Sequence, residues 1–396
     1  MISDKMLALA QSNSAIRAMF EEGNRLAALH GRENVFDFSL GNPNFPAPEA
    51  VRRAIIEVIE GEDPRLVHGY MSNAGYADVR GAVAASLNDR FKTSFGADNI
   101  IMSAGAAGGL NAVLKTLLNP GDEVVAFAPY FVEYGNYVAN YDGKLVVVPP
   151  NTEDFLPDPR RLEAALTPRT KALIVNSPNN PTGVVYSAET IARIAAVLEA
   201  KQRAYKTSIY ILSDEPYREL AYDGVQVPYI TKFYSNTIVC YSWSKSLSLP
   251  GERIGYIVIP DAADAYALVF EAACIATRVL GFVNAPSLLQ RVAAKCLGAE
   301  TDLAAYDRNR KRLYEGLRAL GFACVFPQGA FYLWMKSPVQ DAAFVEAAKR
   351  HNILVVPGAS FGCPGYVRLA YCVSEDTIER SLPAFARLAA ECVAKA

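Results

Sequence analysis

The chain has 396 residues, of which 51% are hydrophobic and 20% charged, and this is the size and composition of a folded protein with one large and one smaller domain. Its 39 basic and 41 acidic residues leave a net charge of -2, which gives no electrostatic basis for binding nucleic acid or an anionic membrane. Three histidines and seven scattered cysteines without a C-x-x-C pair offer little material for a zinc or iron-sulfur site.

The N-terminus and the cysteines indicate the cellular compartment in which the protein is expected. The chain begins Met1 to Lys5 without an apolar signal core, and no window has the roughly 18 uninterrupted apolar residues of a membrane span. The odd number of cysteines, mostly within apolar runs, is typical of reduced thiols. We expect a soluble, cytoplasmic protein whose partners are small molecules, with no metal, nucleic acid or membrane among them.

The first sixty residues are predicted to form a helix, a short strand, a loop and a second helix. Apolar residues recur at helical spacing at Ile16, Met19, Phe20, Leu26 and Leu29. Phe36 to Leu40 alternates as a strand does, and Gly41 to Pro48, with one glycine and three prolines, predicts a hinge or loop. Helical spacing returns from Glu49 to Glu60.

Short apolar runs alternate with helical segments between residues 99 and 260. The predicted strands are Ile100–Met102, Glu123–Ala128, Lys144–Val148, Ala172–Val175, Ser208–Leu212, Thr237–Tyr241 and Ile254–Ile259. Helices are predicted near 106–118, 130–140, 158–166 and 187–204. This pattern predicts an α/β fold with a mostly parallel seven-stranded sheet flanked by helices, in which ligands bind at the carboxyl ends of the strands.

The C-terminal part of the sequence is predicted to form a smaller α+β module. A long connecting helix is predicted near 286–320, followed by strands near 323–326, 331–335, 353–356 and 366–371. We therefore predict a large domain over residues 46–285, and a small domain formed by the N-terminal arm, residues 1–45, with residues 286–396.

Five segments with polar or small residues follow predicted strands. In chain order they are Ser103-Ala104-Gly105-Ala106-Ala107, Ala128-Pro129-Tyr130-Phe131, Asn176 to Gly183, Asp214-Glu215-Pro216-Tyr217 and Ser242-Trp243-Ser244-Lys245. With Arg253, eight residues after Lys245, they resemble fold-type I pyridoxal 5'-phosphate (PLP) enzymes, most closely the class I/II aminotransferases of the aspartate aminotransferase superfamily. The resemblance runs from Gly41 to Arg368. It implies an enzyme that moves an amino group between an L-amino acid and a 2-oxo acid by a ping-pong aldimine/ketimine mechanism.

Lys245 is, by this resemblance, the catalytic lysine that binds PLP as a Schiff base. A lysine becomes nucleophilic near neutral pH only when it is partly desolvated or near other cations. The same amine is then placed to carry the proton between the substrate Cα and the cofactor. A lone lysine in a polar loop would otherwise be read as a surface residue; Ser242, Arg253 and Gly255 favour the catalytic interpretation.

The cofactor phosphate requires hydrogen-bond donors. Gly105, Ala106 and Ala107 open a predicted helix directly after a strand, so free backbone N–H groups would meet an anion there. The resemblance adds the hydroxyl of Ser242 and the guanidinium of Arg253. The glycine-rich segment alone is equally compatible with a tight helix start, since it does not fit G-x-G-x-x-G.

Four residues are matched to positions around the cofactor ring. An unpaired carboxylate at the end of an apolar strand is costly, and the resemblance pairs Asp214 with the pyridine nitrogen. Tyr217 and Asn180 would bind the ring 3-oxygen, and Phe131 would stack on the ring. Each of these residues has a structural alternative: Asp214 could cap a helix, the segment around Asn180 could be explained by turn chemistry, and Phe131 could pack in the core. Asn180-Pro181 is a candidate cis peptide.

Arg368 lies between apolar neighbours in a C-terminal strand, so it must meet an anion. The resemblance makes that anion the substrate α-carboxylate, with Gly41 and Asn180 in the same substrate pocket. An internal salt bridge is the alternative. Tyr70 resembles the tyrosine that reaches the phosphate from the second subunit of a homodimer.

Two departures from the family pattern bear on the substrate. Asn44 replaces the aspartate of G-x-P-D-F near the hinge. Ala107 stands where some bacterial aspartate aminotransferases have a lysine that holds a dicarboxylate side chain, which weakens an aspartate-specific assignment. An arginine from the partner subunit, Arg65 or Arg278, could take over that task.

Other functions fit parts of the pattern. A PLP-dependent β/γ-lyase or a related carbon–sulfur lyase would share Lys245 and Asp214, whereas Arg368 argues against simple decarboxylation. A ligand-binding regulator on the same fold would carry a DNA-binding module, for which about forty residues before Gly41 leave no room. A nicotinamide enzyme would need a G-x-G-x-x-G fingerprint, which the sequence lacks.

Overall fold

The computed structural model describes residues 2–11 and 15–392. The strands are β1 Phe36–Asp37, β2 Ile100–Ser103, β3 Glu123–Phe127, β4 Lys144–Val148, β5 Thr170–Asn176, β6 Tyr210–Asp214, β7 Thr237–Ser242, β8 Gly255–Val258, β9 Cys324–Val325, β10 Tyr332–Lys336, β11 Ile353–Leu354, β12 Val356–Pro357 and β13 Tyr366–Ala370. The helices are α1 Asp4–Gln11, α2 Ala15–His30, α3 Glu49–Gly61, α4 Pro64–His68, α5 Ala77–Phe91, α6 Gly105–Leu117, α7 Glu133–Ala139, α8 Pro159–Ala165, α9 Ala188–Tyr205, α10 Trp243–Ser246, α11 Tyr266–Val279, α12 Ser287–Lys295, α13 Leu303–Ala319, α14 Asp341–Arg350 and α15 Glu375–Cys392.

The large sheet has the order β2-β8-β7-β6-β5-β3-β4. Strand β8 runs antiparallel to both of its neighbours, β2 and β7, and the pairs from β7 across to β4 are parallel. The seven strands predicted between residues 99 and 260 correspond to these seven, so the predicted mostly parallel sheet is confirmed. Their apolar runs are continuous because helices cover both faces of the sheet.

Alternation along each strand divides the core between those two faces. On β3, Val124 and Ala126 pack in a cluster with residues of α6 and α11, whereas Val125 and Phe127 pack in a cluster with residues of α9. This follows from the two-residue period of strand side chains. The polar residues that end the central strands therefore lie at one edge of a largely buried layer.

A second sheet, β12-β13-β10-β9, is antiparallel throughout and carries Arg368 on β13 opposite Trp334. Strand β1 pairs in parallel with β11. The strand predicted over Phe36 to Leu40 is shorter than expected, because the Asp37 carboxylate accepts hydrogen bonds from both the amide and the hydroxyl of Ser39. Such local bonding takes the chain out of the strand ladder.

The continuous helix predicted near 286–320 was wrong: the segment forms two helices, α12 and α13. The chain turns at Gly298, whose φ is +83°, and Asp302 then caps the second helix by accepting a hydrogen bond from the amide of Ala305. The division of the chain at residues 45/46 and 285/286 stays a prediction.

At the N-terminus, Met19 and Leu26 of α2 are buried as predicted, whereas Leu29 is exposed. The predicted apolar side chains of Ile16 and Phe20 lie outside the described residues. No helix within the described ranges is long and apolar enough to cross a membrane. In the same ranges, no group of three or more His, Cys, Asp or Glu side chains is arranged to hold a metal ion.

Candidate active site

A cavity of about 630 Å³ opens at the carboxyl ends of β3, β5, β6 and β7. It brings together eleven of the predicted site residues: Gly41, Ala106, Ala107, Phe131, Asn180, Asp214, Tyr217, Ser242, Lys245, Arg253 and Arg368. Gly105 lies directly behind Arg253. Tyr70 does not line the cavity of its own chain, and its side chain is 93% exposed.

Lys245 projects into the cavity from α10, the short helix that directly follows β7. Its Nζ donates a hydrogen bond of 2.6 Å to the carbonyl of Gly41. Burial lowers the pKa of Lys245 to about 8; Cys372 opposes this shift, and the positive charges of Arg253 and Arg368 add to it. A substantial fraction of the amine is therefore neutral, and nucleophilic, near physiological pH.

A cluster of anion-binding groups lies where β2 and β7 end. Helix α6 begins at Gly105, with φ +69°, and no side chain caps its first turn, so its amides are available to an anion. A Cβ on Gly105 would lie 2.8 Å from Nη2 of Arg253, so a larger residue would strain the backbone at this positive φ and shift the guanidinium away from the helix start. The hydroxyls of Ser242 and Ser244 are 2.6 Å apart beside them. These donors suit a phosphate group.

Asp214 is buried at the end of β6, and its Oδ2 accepts a hydrogen bond of 2.6 Å from the hydroxyl of Tyr134. Burial raises the pKa of Asp214 to about 7; the bond from Tyr134 opposes the rise, and Glu215 adds to it. Among the residues that the structure describes, no salt bridge neutralises this carboxyl group, which is ready to pair with a protonated nitrogen.

Two asparagines connect the strand ends to each other. The Asn176 side chain donates to the backbone carbonyl of Asp214 at 2.9 Å and accepts from the amide of Asn180 at 2.8 Å. The peptide bond Asn180-Pro181 is cis, as predicted. Tyr217 lies next to this turn in the cavity wall, with its hydroxyl 2.9 Å from that of Tyr332. Asn180, held by Asn176, and Tyr217, held by Tyr332, thus supply two polar side chains to the cavity wall.

Arg368 is 1% exposed and forms no salt bridge within the described part of the chain. Its Nη1 donates to Oδ1 of Asn180 at 3.0 Å, its Nη2 donates to the carbonyl of Ser39 at 2.5 Å, and its Nε has no partner. Both accepting groups are neutral. The alternative of an internal salt bridge is therefore wrong, and the buried guanidinium retains an uncompensated charge that a carboxylate would match.

Several residues of the site were not assigned to it from the sequence. Tyr134 is one of them: it is 1% exposed and donates its hydroxyl to Asp214. Glu133, Tyr137 and Tyr332, which line the cavity, are among the others. Tyr134 follows Phe131 by three residues, a spacing that puts both on the same side of a helical turn and could have indicated it.

A family model of aminotransferase class I and II matches residues 33–385 of the chain. The chain belongs to this family. It is 35% identical over 353 residues to a probable aspartate/prephenate aminotransferase of Thermus aquaticus, covering 88% of this chain and 89% of that protein. It is 32% identical to a probable N-acetyl-LL-diaminopimelate aminotransferase of Bacillus subtilis, covering 91% and 90% of the two chains.

Solved structures of aminotransferases share its fold. A crystal structure of an aminotransferase from Eubacterium rectale superposes with a TM-score of 0.96 at 46% identity, covering 99% of each chain. The aspartate aminotransferase of Thermus thermophilus with maleate superposes with a TM-score of 0.86 at 29% identity, covering 98% of this chain and 99% of that one. The protein is an aminotransferase, an enzyme that transfers amino groups between amino acids and 2-oxo acids.

Proposed function

We propose that this aminotransferase holds PLP in the cavity through Lys245 and acts, as a cytoplasmic homodimer, on an L-amino acid and a 2-oxo acid in two half-reactions. One observation carries the proposal. Arg368, a buried guanidinium with no carboxylate partner, faces the same cavity as Lys245, whose pKa is about 8. A small molecule with both an α-carboxylate and an α-amino or α-oxo group satisfies both residues.

The residues of the cavity fit PLP group by group. Its phosphate matches the uncapped start of α6, the Ser242 hydroxyl and Arg253. Its pyridine nitrogen, when protonated, matches the buried Asp214 carboxylate, and its 3-oxygen matches the side chains of Asn180 and Tyr217. Phe131 lines the cavity and is available to stack on the ring.

The chain's own groups have distinct tasks in the transfer. Arg368 and Asn180 orient the substrate by its α-carboxylate, with Gly41 closing the pocket through its backbone. When bound, PLP supplies an electron sink for the pair released at the substrate Cα. The Nζ of Lys245 would carry the proton from the substrate Cα to the cofactor in one half-reaction and in the opposite direction in the other, and its pKa of about 8 suits both directions near neutral pH.

The dimer part of the proposal rests on exposed apolar surface around Tyr70. Leu66 is 62% exposed and Phe282 is 40% exposed. The Asn284 side chain donates to the carbonyl of Ser72, which brings the segment after Phe282 alongside that of Tyr70. Apolar side chains of this kind are covered in subunit interfaces, and Tyr70 would then reach the phosphate site of the partner.

Replacement of Lys245 by Ala tests the proposed function. The purified wild-type protein should show the absorption band of lysine-bound PLP and should convert 2-oxoglutarate to glutamate with one or more amino donors. Lys245→Ala should lose the band and more than about 99% of the turnover, because no other lysine among the residues that the structure describes lines the cavity to move the Cα proton. Lys232→Ala, at an exposed lysine outside the cavity, is the matched control. Retained turnover in Lys245→Ala would contradict the assignment.

The same assay addresses the lyase alternative, in which a β- or γ-substituent is eliminated. Formation of pyruvate and ammonia without glutamate would favour a lyase. The relatives described above bear the names of aminotransferases, and the clamped α-carboxylate disfavours decarboxylation, so we expect glutamate as the product.

A further inference from the structure

Five charged side chains line the cavity: Glu133, Asp214, Lys245, Arg253 and Arg368. The proposed function gives tasks to four of them. Arg253 meets a phosphate, Arg368 a carboxylate, Asp214 a protonated nitrogen, and Lys245 is the reacting amine. Glu133 has no task in the transfer itself.

Glu133 is the first residue of α7 and follows Phe131 by two residues, so it stands beside the site proposed for the cofactor ring. Its Oε2 accepts a hydrogen bond of 2.8 Å from the Asn136 side chain. Over residues 2–11 and 15–392, no lysine, arginine or histidine forms a salt bridge with it. Its charge reaches into the site, because the pKa of Tyr137 is raised first by burial and next by Glu133.

The neighbouring wall does not compensate this charge. On α6, the cavity is lined by Ala106, Ala107 and Leu110, none of which carries a charge or a hydrogen-bonding side chain. Arg253, in the lining, belongs to the cluster proposed for the phosphate and donates to Ser244 and to the carbonyl of Pro250. With the other four charges matched by cofactor and substrate groups, Glu133 leaves an unmatched negative charge in the lining of the cavity.

We propose that Glu133 determines the substrate class of this aminotransferase by selecting amino donors whose side chain ends in a cation and disfavouring donors that carry a second carboxylate. The inference rests on the proposed function, since it supposes an amino acid bound through Arg368. A carboxylate held by one neutral amide and partly shielded from water attracts a cationic group and repels an anion.

A structural role for Glu133 has a different signature. A glutamate in the first turn of a helix stabilises that helix through its dipole, and its loss would lower stability without changing selectivity. Glu189, in the first turn of α9, offers the matched comparison: it is exposed, pairs with Arg193 and lies outside the cavity.

The experiment compares the wild-type holoenzyme with Glu133→Gln and Glu189→Gln. Binding is measured by spectral titration with α-methyl-ornithine, α-methyl-aspartate and α-methyl-leucine, which lack the α-proton and report affinity without turnover. Turnover of ornithine, lysine, aspartate, glutamate and leucine with a common 2-oxo acid is measured alongside.

Wild type should prefer the cationic ligand and donors. Glu133→Gln should weaken the cationic ones by about tenfold, strengthen the dicarboxylic ones by a similar factor and leave leucine within about twofold; Glu189→Gln should change none of these ratios.

An unchanged ratio of cationic to dicarboxylic affinities in Glu133→Gln, with leucine still bound and turned over, would overturn this inference and leave the proposed function standing. A wild-type preference for aspartate or glutamate over ornithine and lysine would overturn it too. Failure of every donor in wild type, with no change in Lys245→Ala, would instead refute the proposed function.

Discussion

Burial in the cavity wall shifts the pKa values of Lys245 and Asp214 toward neutrality. Burial brings the pKa of the lysine down to about 8 and that of the aspartate up to about 7, so both groups change protonation near neutral pH. Each shift favours the neutral form, since burial penalises charge of either sign. Binding of the proposed cofactor with a protonated nitrogen beside Asp214 would restore the charged form of this residue, which would couple cofactor affinity to the protonation of the site.

This burial predicts how the stability of the cofactor-free protein varies with pH. The pKa of Asp214 is raised from 3.8 to about 7 on folding, so its favourable contribution is present below about pH 4 and is lost as the pH rises through 7. Asp214→Asn removes this dependence. The free energy of unfolding of the cofactor-free variant, relative to wild type, should rise from pH 5 to pH 7 by at most about 1.4 kcal/mol per pH unit and then level off, and its relative melting temperature should follow the same course.

Thermal melts at pH 5, 6, 7 and 8 measure this difference, with Asp89→Asn, at an exposed aspartate, as the control. A difference between Asp214→Asn and wild type that stays constant over this range would show that the carboxyl group is not held in its neutral form.

Most residues that line the cavity could be predicted from the sequence, because they lie at or shortly after strand ends in local patterns that resemble those of the family. Tyr134 and Glu133 could not, because their importance comes from what α7 packs against. The partner of Tyr134, Asp214, is 80 residues away along the chain, and a tyrosine in a short helix has no local signature for such a contact. The absence of a salt bridge at Arg368 likewise depends on the packing of two sheets.

At the scale of elements, the apolar runs predicted the large sheet well, because strands covered on both faces contain little else. The errors fell where a few polar residues or one glycine override periodicity. Ser39 ends β1 early, and Gly298 with Asp302 divides the predicted long helix into α12 and α13. Both signals are short-range and were present in the sequence, but they compete with an apolar pattern that continues across them.

A substitution at the start of α6 is expected to weaken the binding of PLP. Gly105→Ala should raise the dissociation constant of PLP by about tenfold or more, because the added Cβ would lie 2.8 Å from Nη2 of Arg253 and displace the guanidinium from the phosphate site. Fluorescence titration of the cofactor-free protein with PLP measures the constant.

Gly121→Ala is the control for backbone strain. Gly121 has a comparable positive φ, +84°, but a Cβ there would meet no heavy atom within 4 Å. Gly121→Ala should therefore lower the free energy of unfolding without changing the affinity for PLP. Equal losses of affinity in the two variants would attribute the effect at Gly105 to strain alone.

For the whole molecule, the proposed dimer makes a prediction by complementation. Lys245→Ala and Tyr70→Ala should each have little activity alone. In a mixed dimer, the chain with intact Lys245 receives Tyr70 from its partner, so one of the two sites is complete. Activity should therefore recover when the two variants are unfolded together and refolded, or when they are coexpressed.

Coexpression with two different affinity tags isolates the mixed dimer for assay. Its activity should approach half that of the wild-type dimer. No recovery above the sum of the two parents would contradict the proposed role of Tyr70 in the site of the partner subunit.

The segment Ser39–Gly41 has a consequence for how such a protein changes over time. Its carbonyls accept from Arg368 at Ser39 and from Lys245 at Gly41, so the guanidinium on β13 and the amine on α10 are both hydrogen-bonded to one stretch of backbone. The distance between the proposed carboxylate site and the amine is therefore fixed by this backbone and not by the side chains of Ala107, Leu110 and Glu133 in the cavity wall. Mutations of these three side chains can change the preferred substrate side chain while the spacing of Lys245 and Arg368 persists.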